Sequence, residues 1–317
     1  MPYLALTCPQ CGGGLPRQAW WRMVNCSFCG AVVTRSEDVV QAAGFHEAWR
    51  RAMDALPVAV QTLRVGDARY RMLAPLGGGE HAAVYLAERL SFLPERVLIK
   101  IAHAEGESHA VRREHEVLCA LQALNGPGAA YFSTRLPQPV RFGQAAAGWQ
   151  QGHSVLVLRY PVGYWGSMAD VLLHQRHGIG ARHVVWIWRR VLDILAYIHG
   201  KGWTHGRLSA EHLLVQPRDH GILVIGWRTA HAGASCGEQA EDLRQAAWCM
   251  RGLLCGGDDL PAIPATLPTL LGELLQRASE DHAWCEELGA GGIDEALRAA
   301  AREVFGAPRF VAFSPLG

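Results

Sequence analysis

The stretch of residues 197–215 reads YIHGKGWTHGRLSAEHLLV and separates two regions with different patterns. Before it, residues 181–199 carry apolar side chains on all sides, which predicts a long buried helix. After it, residues 212–216 and 222–227 flank the turn PRDHG, which predicts a hairpin. The centre of the chain is therefore expected to run from a buried helix through a short loop into two paired strands.

The pattern changes from strands to helices along the rest of the chain. Helical spacing occurs in residues 108–124 and again from Glu238 onward. Strands are predicted for residues 70–79, 82–90, 96–102, 139–143 and 154–160. A strand-rich part followed by a helical part predicts an α+β fold.

The central stretch resembles the catalytic loop of the protein kinase superfamily, H-R-D-L-x-x-x-N. His205 keeps its place, while Arg207 occupies the catalytic Asp position and His212 the metal-binding Asn position. Further on, Gly226 stands where D-F-G has its metal-binding Asp, and Arg228 follows two residues later. The resemblance implies a bilobal kinase-like fold with altered reaction positions.

A glycine-rich turn in residues 76–85, LGGGEHAAVY, resembles the loop that covers the phosphates in kinases. Gly77 and Gly79 would let the backbone approach a phosphate, although the third glycine of that motif is Ala82 here. Taken alone, such a turn is usually a simple hairpin. The resemblance implies that Gly77 and Gly79 belong to a degenerate nucleotide cleft.

Lys100, in the stretch VLIK, resembles the kinase lysine that contacts nucleotide phosphates and pairs with a helix glutamate. Glu114 is the better candidate for that partner and Glu116 is the runner-up. A strand lysine near a helix glutamate would otherwise be read as a surface pair.

The altered positions bear on phosphoryl transfer, which needs a carboxylate to accept a proton and Mg²⁺ to neutralise phosphate charge. Arginine does not give up its proton, glycine offers no ligand, and imidazole is a poor ligand for Mg²⁺. We therefore expect no catalytic residues, no enzyme activity, and a pseudokinase that acts as a scaffold or regulatory binding module without phosphotransfer. The alternative is an atypical nucleotide-dependent transferase on a kinase fold, with Glu211 or Asp219 as acid or base.

The segment after Arg228 is short compared with a kinase activation segment. Residues 229–241 separate it from Asp242, which resembles the start of the helix that anchors the catalytic loop. No A-P-E motif is present in that interval.

ATP is expected to bind weakly and without metal, or not at all. Arg207 and Arg228 could neutralise phosphates if both point inward. In the competing interpretation, Trp227 fills the cleft or Glu114 turns towards the arginines and leaves Lys100 unpaired.

Two C-x-x-C-G units near the start predict a zinc ribbon. Four thiolates from Cys8, Cys11, Cys26 and Cys29 would form a closed tetrahedral Zn²⁺ site with a structural role. The other cysteines are scattered, which favours a reducing compartment over a disulfide framework. The cytoplasm is the expected location.

The predicted domains are a zinc ribbon (1–35), a helical linker (36–62), a kinase-like N-lobe (63–160) and a shortened C-lobe (161–317). With 30 basic and 29 acidic residues, charge gives no whole-protein argument for nucleic acid or a membrane surface. Bacterial relatives that join a ribbon to a kinase-like domain imply protein partners, namely a von Willebrand A-type protein and a metal-dependent phosphatase.

Overall fold

A computed structural model describes residues 23–25, 32–34, 61–257 and 262–317. The chain forms two compact units, Met1–Ala59 and Val60–Gly317. In the first unit, β1 (Met23–Asn25) pairs antiparallel with β2 (Val32–Thr34). The four predicted zinc ligands and the linker up to residue 60 lie outside the described residues.

The second unit has the predicted α+β composition. Its strands are β3 (Thr62–Val65), β4 (Ala68–Gly78), β5 (Ala82–Arg89), β6 (Glu95–Ala102), β7 (Pro139–Gly148), β8 (Ser154–Arg159), β9 (Gly166–Ser167), β10 (Trp203–Thr204), β11 (Leu213–Gln216), β12 (Gly221–Val224) and β13 (His231–Ala232). Its helices are α1 (Ser108–Gln122), α2 (Ala129–Ser133), α3 (Met168–His174), α4 (Ala181–His199), α5 (Cys236–Cys255), α6 (Thr269–Glu280) and α7 (His282–Phe305).

Strands β3 to β8 close into an antiparallel barrel in the order β3-β4-β5-β6-β8-β7. Closure depends on β3, which the sequence did not predict and which pairs with both β4 and β7. Its four residues alternate between exposed and buried side chains, a pattern too short to recognise in the sequence. Leu63 and Val65 thereby enter a separate apolar cluster inside the barrel.

The helical part is built around α4, whose bounds match the predicted helix. Val184, Ile187 and Trp188 belong to the larger apolar core, together with side chains from α5, α6 and α7. No helix in the described part of the chain is long and apolar enough to cross a membrane.

The predicted hairpin forms, but its second strand ends three residues early. β11 and β12 pair antiparallel, with Leu213 opposite Val224. The chain then reaches Gly226, whose φ of 82° lies in the left-handed region and ends the strand. A short 3₁₀ turn follows at Trp227–Thr229, so the backbone changes direction beside the loop of residues 204–212.

Candidate functional site

A cavity of about 720 Å³ lies between the barrel and the helical part of the second unit. The predicted cleft residues that line it are Gly79, Lys100, Glu114, Arg207, His212, Gly226 and Arg228. Gly77 is the exception, because it lies within β4 opposite Val84. The structure thus brings seven of the eight predicted positions to one open space.

Lys100 and Glu114 form the ion pair expected from the sequence. Lys100 Nζ on β6 lies 2.5 Å from Glu114 Oε2 on α1. The buried face of α1 includes Val111, Glu114 and Leu118, which recur at helical spacing, so Glu114 points inward. Glu116 is exposed on another face of the helix. In this structure Lys100 therefore pairs with Glu114 and not with Glu116.

The turn at residues 79–81 is held through both backbone groups of Gly79. Gly79 N donates to Ala82 O at 2.9 Å, and His103 Nε2 donates to Gly79 O at 2.9 Å. At Gly79, an added Cβ would meet no atom within 4 Å. The turn therefore presents a bare backbone edge to the cavity, where a ligand can come close.

The loop of residues 204–212 is supported from its buried side by Asp242 on α5. This fully buried carboxylate accepts bonds from His199 Nε2 at 3.0 Å, Thr204 Oγ1 at 2.6 Å, His205 N at 2.7 Å and Gly206 N at 2.8 Å. Burial raises the pKa of Asp242, but these hydrogen bonds outweigh it and hold the pKa below the ordinary value of an aspartate. Asp242 is therefore ionised, and it anchors the loop as predicted.

Arg207 on this loop and Arg228 in the 3₁₀ turn after β12 both line the cavity. In the described residues no carboxylate lies within ion-pair distance of either guanidinium. Glu114 stays with Lys100, so the interpretation in which it turns towards the arginines is wrong. Two acidic side chains, Glu80 and Glu211, also line the cavity but are exposed.

The imidazole ring of His212 lies directly against the backbone of Gly226. A Cβ added at Gly226 would overlap the imidazole ring of His212. Burial, followed by the influence of His205, lowers the pKa of His212 to about 4. The ring is therefore neutral at pH 7 and fills the space that a side chain at position 226 would need.

Trp227 does not fill the cavity. Its side chain is fully buried and packs edge-to-face against the His205 ring, with ring centroids 4.7 Å apart. Its Nε1–H donates a hydrogen bond to Val224 O at 2.7 Å. The interpretation in which Trp227 blocks the cleft is therefore wrong, because the left-handed turn at Gly226 directs the indole into the core.

The short segment after Arg228 is held against the rest of the site. Thr229 Oγ1 donates to His205 O at 2.9 Å, and Arg113 Nη2 on α1 donates to Ala230 O at 3.0 Å. β13 in this segment then pairs antiparallel with β10. These bonds join α1, the 204–212 loop and the segment into one arrangement.

Sequence reasoning missed the far wall of the cavity, which is formed by α3 and the end of α5. Leu172 and Leu173 line it from α3, and Cys249 and Gly252 line it from α5. Burial raises the pKa of the Cys249 thiol to about 12, so this wall is uncharged. Helical spacing placed Cys249 and Gly252 on a helix, but the sequence did not predict the helix at residues 168–174. It also carried no signal that the two helices meet at the cavity.

No group of His, Cys, Asp and Glu in the described residues has the arrangement of a metal site. The predicted zinc cysteines are not among those residues.

Comparison with known proteins relates part of the chain to a kinase. The chain is similar to serine/threonine-protein kinase pkn2 of Myxococcus xanthus, with 28% identity over 160 residues. That match covers 49% of this chain and 17% of the kinase, so the chain spans less than a fifth of that relative. No protein-family model matches the chain.

This similarity contradicts the expectation that the chain is not an enzyme. The relative belongs to an enzyme class, the serine/threonine kinases, and the similarity therefore points towards an enzyme. The replaced residues at positions 207, 212 and 226 had led to the opposite inference, because they remove the usual proton acceptor and metal ligands. At this distance the similarity establishes no particular activity.

Proposed function

We propose that residues 63–317 form a bilobal kinase-like domain of the pseudokinase type. In this proposal the domain is a regulatory binding module or scaffold, and it holds nucleotide phosphates with fixed cations instead of metal. The observation that carries the proposal is the placement of Lys100, Arg207 and Arg228 around one open cavity.

The charges around the cavity favour a bound phosphate. Glu114 balances Lys100, which leaves the guanidinium groups of Arg207 and Arg228 to meet an anion. Arginine binds phosphate through two parallel N–H bonds, which gives both charge and geometry. The backbone edge at Gly79 would face the same phosphates, as a glycine-rich turn does in kinases.

Nucleotide binding without metal provides the test. We expect ATP and ADP to raise the unfolding temperature in EDTA, since a ligand at 100 times its dissociation constant adds about 2.7 kcal/mol of stability. Arg228→Ala should remove the shift, whereas Arg218→Ala, on an exposed turn away from the cavity, should leave it unchanged. No shift at millimolar nucleotide, or a shift that requires Mg²⁺, would contradict metal-independent binding.

A second candidate is an atypical nucleotide-dependent transferase. The similarity to an enzyme and the Lys100–Glu114 pair favour it. Of the two acids considered, Glu211 lines the cavity, whereas Asp219 bonds to Gln216 in the β11–β12 turn. Incubation with labelled ATP should then transfer a group to protein, and Glu211→Gln should abolish the transfer while Asp219→Asn should not.

We also propose that Cys8, Cys11, Cys26 and Cys29 bind one structural Zn²⁺. In support, β1 and β2 pair on either side of residues 26–31, which include the second cysteine pair. Elemental analysis should find about one zinc per chain, because four thiolates complete a tetrahedral site. Cys26→Ser should lower the zinc content and Cys119→Ser, on the exposed face of α1, should not. Equal zinc in both variants would contradict the site.

The partners proposed for this module are a von Willebrand A-type protein and a metal-dependent phosphatase. This proposal rests on the resemblance to bacterial proteins that join a ribbon to a kinase-like domain. Purification of the native protein followed by mass spectrometry tests it. Recovery of neither class of protein in several growth conditions would contradict it.

A further inference from the structure

The segment that follows α7 lies on the helical part without forming a helix or strand. Gly306, with a φ of 76°, ends α7, and the next residues, 307–317, read APRFVAFSPLG. Between Val311 and Leu316 the side chains alternate between the protein and solvent, with Phe313 and Pro315 buried. Every second side chain therefore faces the surface beneath, as in a bound peptide.

Two phenylalanines of this segment contact an aromatic face that α4 and the β11–β12 turn form. The His220 ring lies between Trp186 and Phe310, stacked on each with ring centroids 4.2 Å apart. Phe313 lies against His183 at 5.0 Å and against Trp186 at 5.7 Å. We name the group His183, Trp186 and His220 the aromatic face.

Hydrogen bonds to the segment go to its backbone carbonyl groups. His220 Nε2 donates to Val311 O at 2.8 Å, and Gln175 Nε2 donates to Ser314 O at 2.7 Å. Such bonds fix the position of a chain without selecting its side chains, so the selection falls to the aromatic contacts. In peptide recognition, main-chain hydrogen bonds commonly provide affinity and side-chain contacts provide specificity.

The segment adds one large side chain, Phe313, to the core that it covers. Phe313 is 8% exposed and belongs to the large apolar core, but Phe310 is 67% and Leu316 is 63% exposed. The inward side of α4, including Ile187 and Trp188, packs against the rest of the helical part. The aromatic face itself is only partly buried beneath the segment. Because most of that core comes from the helices themselves, we expect the helical part to remain folded when the segment is removed.

We propose that the aromatic face is a peptide-docking surface for segments with two aromatic residues three positions apart. Residues 307–317 occupy it in this structure as a ligand from the same chain. A partner protein carrying an aromatic–x–x–aromatic segment replaces them, which exposes the 307–317 segment for other contacts. This inference concerns a surface away from the cavity and does not depend on the function proposed for it.

The test separates the segment from the rest of the protein. A chain that ends at Gly306 should remain folded by circular dichroism and should bind a fluorescent peptide of residues 307–317 saturably. The full chain should bind the same peptide far more weakly, because its own segment competes. Failure of the folded, shortened chain to bind the peptide overturns the proposal.

Matched variants identify the contacts. Phe313→Ala in the peptide should weaken binding about tenfold or more, as truncation of a buried aromatic anchor does, and Arg309→Ala should have little effect. On the protein, His220→Asn should weaken binding, and asparagine tolerates the φ of 51° at this position. His177→Asn, at an exposed histidine, is the control. Equal binding by both peptides or both histidine variants contradicts the assigned surface.

A nicked protein covers the case in which the shortened chain does not fold. A protease site placed between Gly306 and Ala307 allows the segment to be cut after folding. Exchange of the cut segment for labelled peptide supports docking, whereas a cut segment that never exchanges, or a body that aggregates on its release, shows a core element and overturns the proposal. A dimer of the full chain that disappears on shortening would make a second copy the donor and would also overturn it.

Discussion

The buried side and the cavity side of the 204–212 loop differ in how their charges are satisfied. On the buried side, one carboxylate, Asp242, accepts bonds from two side chains and two backbone N–H groups. On the cavity side, Arg207 has no carboxylate partner in the described part of the chain, and His212 is neutral. The buried side of the loop is thus held by hydrogen bonds to Asp242, and the guanidinium of Arg207 on its cavity side is available to a ligand.

The backbone of the loop and the chemistry of its cavity side are therefore fixed by different residues. The hydrogen bonds to Asp242 fix the backbone at His205 and Gly206, so the direction of the next side chains does not depend on their identity. Arginine can therefore stand at position 207 without a change in the supporting bonds. Substitutions on the two sides should consequently have different effects on stability.

Loss of the support should have the largest effect. Asp242→Ala leaves the buried N–H of His205, the part-buried N–H of Gly206 and the His199 ring without their acceptor. We expect it to lower the free energy of unfolding by about 3–5 kcal/mol, measured by urea denaturation. Glu241→Ala, which removes an exposed neighbouring carboxylate, should cost under about 1 kcal/mol. Similar losses in the two variants would mean that Asp242 is not the support.

Removal of the cation that faces Glu114 should rank second. Lys100→Ala leaves a carboxylate that is 3% exposed without a partner. Because the lysine is itself partly exposed, we expect a loss of about 2–3 kcal/mol in the same measurement. Lys201→Ala, at the chain's other lysine, is the control. The double variant Lys100→Met with Glu114→Gln should recover part of the loss, and no recovery would contradict charge as its cause.

Crowding between His212 and position 226 should give a smaller effect. Gly226→Ala must adopt a left-handed φ and displace the His212 ring, for an expected loss of about 1–3 kcal/mol in unfolding free energy. Gly233 has a similar φ of 75° and open space beside it, so Gly233→Ala measures the backbone cost alone. In a protein that already carries His212→Ala, Gly226→Ala should lower the free energy of unfolding only as much as Gly233→Ala does. Additive losses would contradict the contact.

Titration of His212 should leave stability at pH 7 unchanged, so that it is visible only as a pH dependence. Its pKa of about 4 in the folded protein lies below the value of 6.5 expected in the unfolded chain. The unfolded chain therefore binds the proton first, and stability should fall as pH decreases from 6.5 towards 4. His212→Gln should flatten this decline relative to His177→Gln. Unfolding curves at pH 7, 5.5 and 4.5 measure it, and identical slopes would contradict the buried neutral ring.

Several of the larger elements and most polar positions of the site could be predicted from the sequence. Strand-favouring runs predicted β4, β5 and β6, and apolar positions all round predicted α4 with its observed bounds. The resemblance to the kinase motifs gave Glu114 as the better partner for Lys100, and its buried position beside Val111 and Leu118 agrees with that choice. The order of motifs placed Arg207, His212 and Arg228 near Lys100. These features depend on local periodicity and spacing, which a linear sequence records.

How these elements meet could be seen only in the tertiary structure. Closure of the barrel by β3, the α3 wall of the cavity and the aromatic face beneath Phe313 join residues far apart in the chain. The overlap of position 226 with His212 and the burial of Trp227 follow from backbone angles and packing around one left-handed glycine. Local patterns carry no record of such contacts, because side chains meet only after the backbone has folded around them.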